Sequence, residues 1–401
     1  MKNWLQAALS RAPQTKSSLG SSTGSNSGTP LVALQLANSA HSASWTPRNY
    51  AALAREGYQQ NAIAYRCIRL IAEAAASVPL CVRRDTECAG GDPAARLLRK
   101  PNPKVSRGEF FEAFYGYLHL SGDSFLEAVL VDDRPVALFN LRPDRMRAVT
   151  DHTGWPRGWD YEVGGKKRRF TTDPNTGCSS IHHMRLFHPT DDIYGFSPLA
   201  AAAKSVDVHN AGGVWTKALL DNSARPSGAL IYKGTSGSEH LSTEQFERLK
   251  SELDSKHSGA GAAGRPLLLE GGLDWKAMSM SPTDMDFLNA RREAAREIAL
   301  AFGVPPMLLG IPGDNTYANY KEANLAFWRQ TILPLVRKTA DSLGTWLADW
   351  YGDDLRVIAD EDHIPALALE RAARWKTLND ISFMSEAEKR ERAGLPAEAV
   401  Q

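Results

Sequence analysis

Two helical stretches, at about 198–222 and 283–302, bracket a compact insert with the pattern of a small β-α-β-β unit. No other feature constrains the fold as much. The first stretch is Ala-rich and is closed by Pro226, which locks φ and has no N–H to continue a helical ladder. The insert reads as a strand at 229–233 and a helix opened by the capping pair Ser242 and Gln245, with Phe246, Leu249 and Leu253 on one face. Strands at 267–270 and 275–279 follow, separated by Gly271-Gly272.

On the N-terminal side, residues 17–29 (SSLGSSTGSNSGT) hold too little apolar surface to offset the entropy of ordering, so 1–49 reads as a flexible arm. The structured body is expected from near Asn61, a side chain that can cap a helix carrying Ile63, Cys67, Leu70, Ile71, Ala74 and Val78 at spacings of three and four. Pro79 stops it. A second helix opens at Ser106, whose hydroxyl and Glu109 form a capping box ahead of Phe110, Phe111, Phe114 and Leu118, and Gly122 ends it. Strands at 124–131 and 136–141 flank the turn Asp132-Asp133-Arg134-Pro135, 161–171 reads as a hairpin folded at Gly164-Gly165, and a short strand lies near 181–187.

Beyond the bracketed insert, 303–319 is a Gly, Pro and Asn-rich break. A long helical pattern then runs from about Tyr320 to Trp350 through Leu325, Trp328, Ile332, Val336, Leu343 and Leu347. Pro334 sits inside it, so a kink is expected there. Residues 366–394 are again mostly helical.

A chain of 401 residues exceeds what one hydrophobic core sustains, so several packed regions are expected. No apolar run reaches the ~18 residues of a spanning helix, and the patch from Trp4 to Leu9 is too short for a signal-peptide core, so a cytoplasmic setting is expected. Cys67, Cys81, Cys88 and Cys178 form no CxxC pair and are expected to be free thiols. The net charge of +1 hides four cations and no acid in the arm, Lys2, Arg11, Lys16 and Arg48, which leaves about −3 for the rest. Bulk charge therefore does not pull the body onto nucleic acid, since such binding scales with phosphates neutralised.

Chemical motifs are few. GAGAAG at 259–264 matches GxGxxG but follows a helix where the dinucleotide fingerprint follows a strand, and GSSTG at 20–24 matches GxSxG inside the arm. Neither a phosphate loop GxxxxGK[ST] nor HExxH is present, so no ATP-driven motor is encoded. Cys178, His182, His183 and His188 are the best metal candidates, yet adjacent strand residues point to opposite faces, so at most three could converge. The basic run 166–169 (KKRR) could touch phosphates, though a solvated hairpin face is the plainer reading. Trp328, Trp346 and Trp350 could stack on bases but suit a core or subunit interface better. The segment 310–319 has no basic residue and Asp314 as its one charge, so it cannot grip DNA and would let a duplex slide, though from composition alone an ordinary polar loop is the plainer reading.

The order of these segments resembles the HK97-like branch of the portal proteins of tailed phages. The resemblance is carried by NAIAYRCIRLIAEAAASVPL (61–80), LLRKPNPKVSRGEFF (97–111), LSGDSFLEAVL (120–130), LFNLRPDRM (138–146), IYGFSPLAAA (193–202), ARPSGAL (224–230), AFGVPPMLLG (301–310) and SEAEKRERAGLP (385–396), in family order over nearly the whole chain beyond the arm. It implies an α+β portal fold. The wing would be formed by 50–196 and part of 304–362, stem helices by 197–224 and 282–303, and the clip by 225–281. The tunnel loop would be 310–319, followed by a helix kinked at Pro334, with a short helical crown at 363–401.

By the same resemblance the protein is not an enzyme and needs no cofactor or metal. It forms a homo-oligomeric ring, usually a dodecamer, at the unique capsid vertex, the channel for DNA packaging and ejection. Its partners are double-stranded DNA, the terminase large subunit, a head-tail adaptor and the major capsid protein, with no membrane. It resides in a virion or phage-like particle, a phage or gene transfer agent, assembled in the bacterial host cytoplasm. DNA would face Asp314, Asn315, Thr316, Tyr317 and Asn319, and the clip would offer Lys233, Glu239, Lys250 and Lys256 to terminase or adaptor. Two other readings compete: another ring-forming head-tail structural protein, which the chain's length and insert disfavour, and a metal-dependent hydrolase built on Cys178 and the histidines.

Overall fold

The computed structural model describes residues 45–84, 87–88, 90–221, 228–232, 242–244, 246–248, 251, 273–277, 286–311 and 317–393. The chain divides into two units, Met1–Ser44 and Trp45–Gln401, and the first lies outside the described residues.

Order begins earlier than expected. Helix α1 (Tyr50–Ala52), capped by the Asn49 side chain, runs straight into a π-helix at Leu53–Gln59, ahead of α2 (Ala62–Ser77). Thr46, inside the segment read as an arm, donates its amide to Asp207 Oδ2 at 2.9 Å. Asn61 caps α2 as predicted, accepting from the amides of Ile63 and Ala64 at 3.1 and 3.0 Å. Strand β1 (Leu80–Arg84) and the short β2 (Glu87–Cys88) follow, then α3 (Pro93–Arg99) and α4 (Arg107–Ser121). The capping box of Ser106 and Glu109 is present, and Gly122 ends α4 with φ 88°. Arg107 Nη1 donates to Ala76 O at 3.1 Å, satisfying a carbonyl that the end of α2 leaves open.

Helix α4 packs on α2 and buries Phe110, Phe111, Phe114 and Tyr115 completely, each worth roughly 2–3 kcal/mol of apolar transfer. Strands β3 (Asp123–Val131) and β4 (Arg134–Leu141) form a hairpin whose two-residue turn puts Asp132 and Asp133 at φ 49° and 58°. Strands β5 (Met146–Thr150), β6 (Pro156–Val163) and β7 (Lys166–Thr171) make a separate sheet around Met146, Trp159 and Phe170, turning at Gly164-Gly165. Strand β8 (Ile181–Arg185) joins β3, giving the order β4-β3-β8.

The helix expected from 198 is broken at Ala202 into α5 (Pro198–Ala201) and α6 (Ala203–Asp221). Strands β9 (Gly228–Tyr232) and β10 (Leu273–Ala277) pair antiparallel, so the strand read at 275–279 starts two residues earlier. Helical residues follow Ser242, whose carbonyl accepts from the Phe246 amide at 2.9 Å. The strand read at 267–270 and the GAGAAG run lie outside the described residues. Helix α7 (Phe287–Ala301) packs along α6.

The long C-terminal helix begins at Tyr317, three residues before the predicted start, and changes pitch. Helix α8 (Tyr317–Phe327) passes into a π-helical turn at Trp328–Ile332 and resumes as α9 (Leu333–Tyr351). Strand β11 (Arg356–Ala359) then returns across the chain to pair with β1, Leu80 opposite Ala359, in a sheet of order β11-β1-β2. Arg84 clasps this return, reaching Asp92 at 2.7 Å, Asp354 at 2.7 Å and Tyr351 O at 2.9 Å. Helices α10 (Ala368–Asp380) and α11 (Glu386–Ala393) complete the described chain.

The cysteine expectation is corrected in part. Cys67 and Cys178 are free, but Cys81 is disulfide-bonded, which a search for CxxC spacing does not reveal because a disulfide joins residues close in space and not only in sequence.

Candidate functional site

Helices α6 and α7 pack against each other, and the paired strands β9 and β10 lie between them in sequence. Their approach is close at Gly212, where an added Cβ would sit 2.8 Å from Arg291 Cγ, so the aliphatic stem of Arg291 lies on bare backbone. Ser205 Oγ donates to Glu297 Oε2 at 2.6 Å across the pair. The root of α6 is tied to the body twice: Asn61 Nδ2 donates to Asn210 Oδ1 at 2.9 Å, and Asn210 Nδ2 donates to Glu56 O at 2.9 Å.

From α7 the chain enters the segment before the predicted loop. Gly303 turns with φ 66°, Val304 is buried, and Pro306–Leu309 forms a 3-10 turn ended by Gly310 at φ 72°. Ile311, the last described residue before the predicted loop, is buried. On the far side α8 leads to the π-helical turn, where the Leu333 amide donates to Trp328 O five residues back, just before Pro334, which has no amide hydrogen to give. Thr331 Oγ1 donates to Gly303 O at 2.6 Å, and Arg329 Nε to Glu370 Oε2 at 3.1 Å. The turn therefore links the end of α7, the helix after the loop and α10. Sequence reasoning missed Thr331 and Arg329, since their partners lie 28 and 41 residues away.

The other nominated residues disperse. Asp314, Asn315, Thr316, Lys233, Glu239, Lys250 and Lys256 lie outside the described residues. Tyr317 and Asn319 fall in the first turn of α8, not in a loop, and Asn319 is exposed.

The histidines do not converge either. His182 turns to α9, its Nε2 2.8 Å from Ser342 Oγ, while His183 turns the other way, 2.8 Å from Asp123 Oδ1 and stacked on Phe125. His188 is half-buried and accepts from the Thr190 amide, and burial pushes the Cys178 thiol up. Among the described residues no three His, Cys, Asp or Glu side chains are placed to hold a metal ion.

Three of the four residues of the basic run are already matched by acids. Lys167 and Arg169 both reach Asp160, at 2.7 and 2.8 Å, and Arg168 reaches Glu127 at 2.7 Å. Arg169 first, then Lys167, holds the Asp160 carboxyl well below the usual range. Trp346 donates to Ser179 O at 2.8 Å and packs edge-on to Trp350, and Trp328 packs against the core, so the tryptophans are structural and not a base-stacking row.

The described residues of this region are a packed helix pair and a two-stranded ribbon. The phage portal protein family model matches residues 62–394. The chain belongs to the phage portal protein family. Such proteins are structural, and the chain is not an enzyme. It is 26% identical to the portal protein of Enterobacteria phage HK97 over 83% of this chain and 78% of that one. Two solved structures of the neck of a gene transfer agent particle resemble it more strongly. One, of an empty particle computed with C6 symmetry, is 51% identical, covering 88% of this chain and 95% of that one with TM-score 0.70. The other, of a native particle computed with C12 symmetry, is 50% identical with the same coverage and TM-score 0.68. An HK97-family portal protein from Corynebacterium diphtheriae, 14% identical, shares the mixed helix and strand fold, covering 82% of this chain and 99% of that one with TM-score 0.56. Among the described residues no helix is long and apolar enough to cross a membrane.

Proposed function

We propose that twelve copies of this portal chain close into a ring in the neck of a phage-like particle and encircle the DNA that enters and leaves it. One observation carries the reading: half-identity, over nearly the full length of both chains, to a particle neck solved with C12 symmetry. In this ring α6 and α7 serve as stem helices, the β9-β10 ribbon as part of the clip that meets terminase and adaptor, and the β1–β8 region with β11 as the wing.

The segment from Gly310 to Asn319 then lines the channel. Its single charge, Asp314, is negative, and a ring of such loops neutralises no phosphates, so a duplex passes without being held. The net charge fits, since twelve copies at +1 spread only about +12 over a large assembly.

Asp314→Ala is expected to leave ring assembly intact. Asn315→Lys would place twelve cations around the duplex and slow DNA passage, measured as packaging rate in a reconstituted particle. Equal rates for Asn315→Lys and the unchanged protein would contradict a sliding contact at this loop.

A further inference from the structure

Pairing of β11 with β1 sets Arg356 directly opposite Arg83. Side chains opposite one another in an antiparallel pair start about 5 Å apart, and like charges there repel. Among the described residues no partner relieves them: Arg83 Nε is shut off from solvent without an acceptor, and neither arginine pairs with an acid. Val82 and Val357, the adjoining opposed pair, are both buried, so the two arginines occupy the other face of the sheet. Arg356 is exposed and Arg83 half-buried.

A matching feature lies on the opposite face. Arg84, on the same face as Val82, donates to Tyr351 O at 2.9 Å, and the Tyr351 hydroxyl donates to Pro135 O at 2.9 Å, which holds the β3-β4 hairpin there. Its tip carries Asp132 and Asp133, both exposed and, among the described residues, without an ionic partner, between Val131 and Val136, which are 53% and 54% exposed. Two adjacent free carboxylates beside bare aliphatic surface are the complement of two adjacent free guanidiniums.

A ring requires two different complementary surfaces on opposite sides of each protomer. We infer that the Asp132-Asp133 tip of one protomer seats on the Arg83–Arg356 pair of the next copy, a wing-to-wing contact that repeats around the ring. The inference rests on the ring reading above. A nucleic acid is a poorer occupant, because Asp353 and Asp354 closely precede Arg356 in sequence and two free cations release few counterions.

A double-mutant cycle on the full-length protein tests the pairing, with native mass spectrometry reporting ring and monomer across a dilution series. Asp132→Asn with Asp133→Gly removes both charges and keeps residues that favour this turn. Arg83→Gln with Arg356→Gln removes the cations and also relieves their repulsion, so its monomer should melt no lower than the unchanged chain. Each pair of changes is expected to raise the concentration at which rings dissociate by about tenfold, and all four together by about the same tenfold. Additive losses near a hundredfold, or no loss from either pair, would overturn the contact while leaving the ring reading intact. An unchanged protein that stays monomeric at every concentration would overturn the ring reading and the contact together.

Discussion

Gly195→Ala is expected to yield almost no folded protein, with a loss of about 4 kcal/mol or more in stability. An added Cβ at Gly195 would lie 2.1 Å from Gly122 O and 2.9 Å from Leu186 N, and at Gly122 it would lie 2.5 Å from the Gly195 carbonyl. All of these are backbone atoms, so no side chain can swing aside. The crossing is further fixed by Leu186 N donating to Gly122 O and Gly195 N donating to Asp123 Oδ1, each at 2.8 Å. Separating the two segments to admit a methyl breaks both bonds and opens the core where Ser197 caps α5 onto the end of α4 through His119 O. Gly116 is the control: an added Cβ meets nothing within 4 Å, so Gly116→Ala should stabilise α4 by roughly 0.5–1 kcal/mol. Urea unfolding followed by circular dichroism measures both. A Gly195→Ala protein with the unchanged midpoint would show that the crossing is looser than described.

The second large effect is on acid stability. His182 is buried between Phe114 and Trp346, with Nε2 on Ser342 and Nδ1 buried without a partner. Burial, aided by the neighbouring His183, pushes its pKa down to about 3, so the folded protein keeps the ring neutral. In the unfolded chain it titrates near 6.5. Its contribution is therefore complete above pH ~6.5 and is lost as the pH falls toward 3, because only the unfolded chain takes up the proton, at up to about 1.4 kcal/mol per pH unit. His119, also buried and depressed by burial, acts in the same direction. Replacing His182 by glutamine keeps a hydrogen-bonding group toward Ser342 but cannot take up that proton. Its unfolding free energy should fall less steeply between pH 6.5 and 4.5 by close to one proton, and parallel curves for the two proteins would contradict a neutral buried His182.

Both effects lie where sequence reading was weakest, and the reason is range. Signals that act within one turn were readable: the Asn61 cap, the Ser106 and Glu109 box and the Gly164-Gly165 turn are where they were expected, while the turn read over 132–135 is tighter, with Arg134 and Pro135 already in β4. Contacts that close over long spans were not. The β1-β11 pairing, the Thr331 bond to Gly303 and the crossing of Gly122 with Gly195 join residues with no shared local pattern. Pro334 pointed to an irregular helix, but the irregularity is a π-helical turn that ends before the proline, because an extra residue per turn is invisible to a 3.6-residue periodicity. The same blindness hid the π-helix at Leu53–Gln59, so order was expected only from Asn61. The alternation rule did separate His182 from His183, and with them the one metal constellation the sequence suggested.

Imaging the purified full-length protein by electron microscopy tests the central claim most directly. Closed annuli of twelve subunits around an axial hole wide enough for a duplex are the predicted result. Discrete single-chain particles, or closed assemblies with a filled centre, would contradict it.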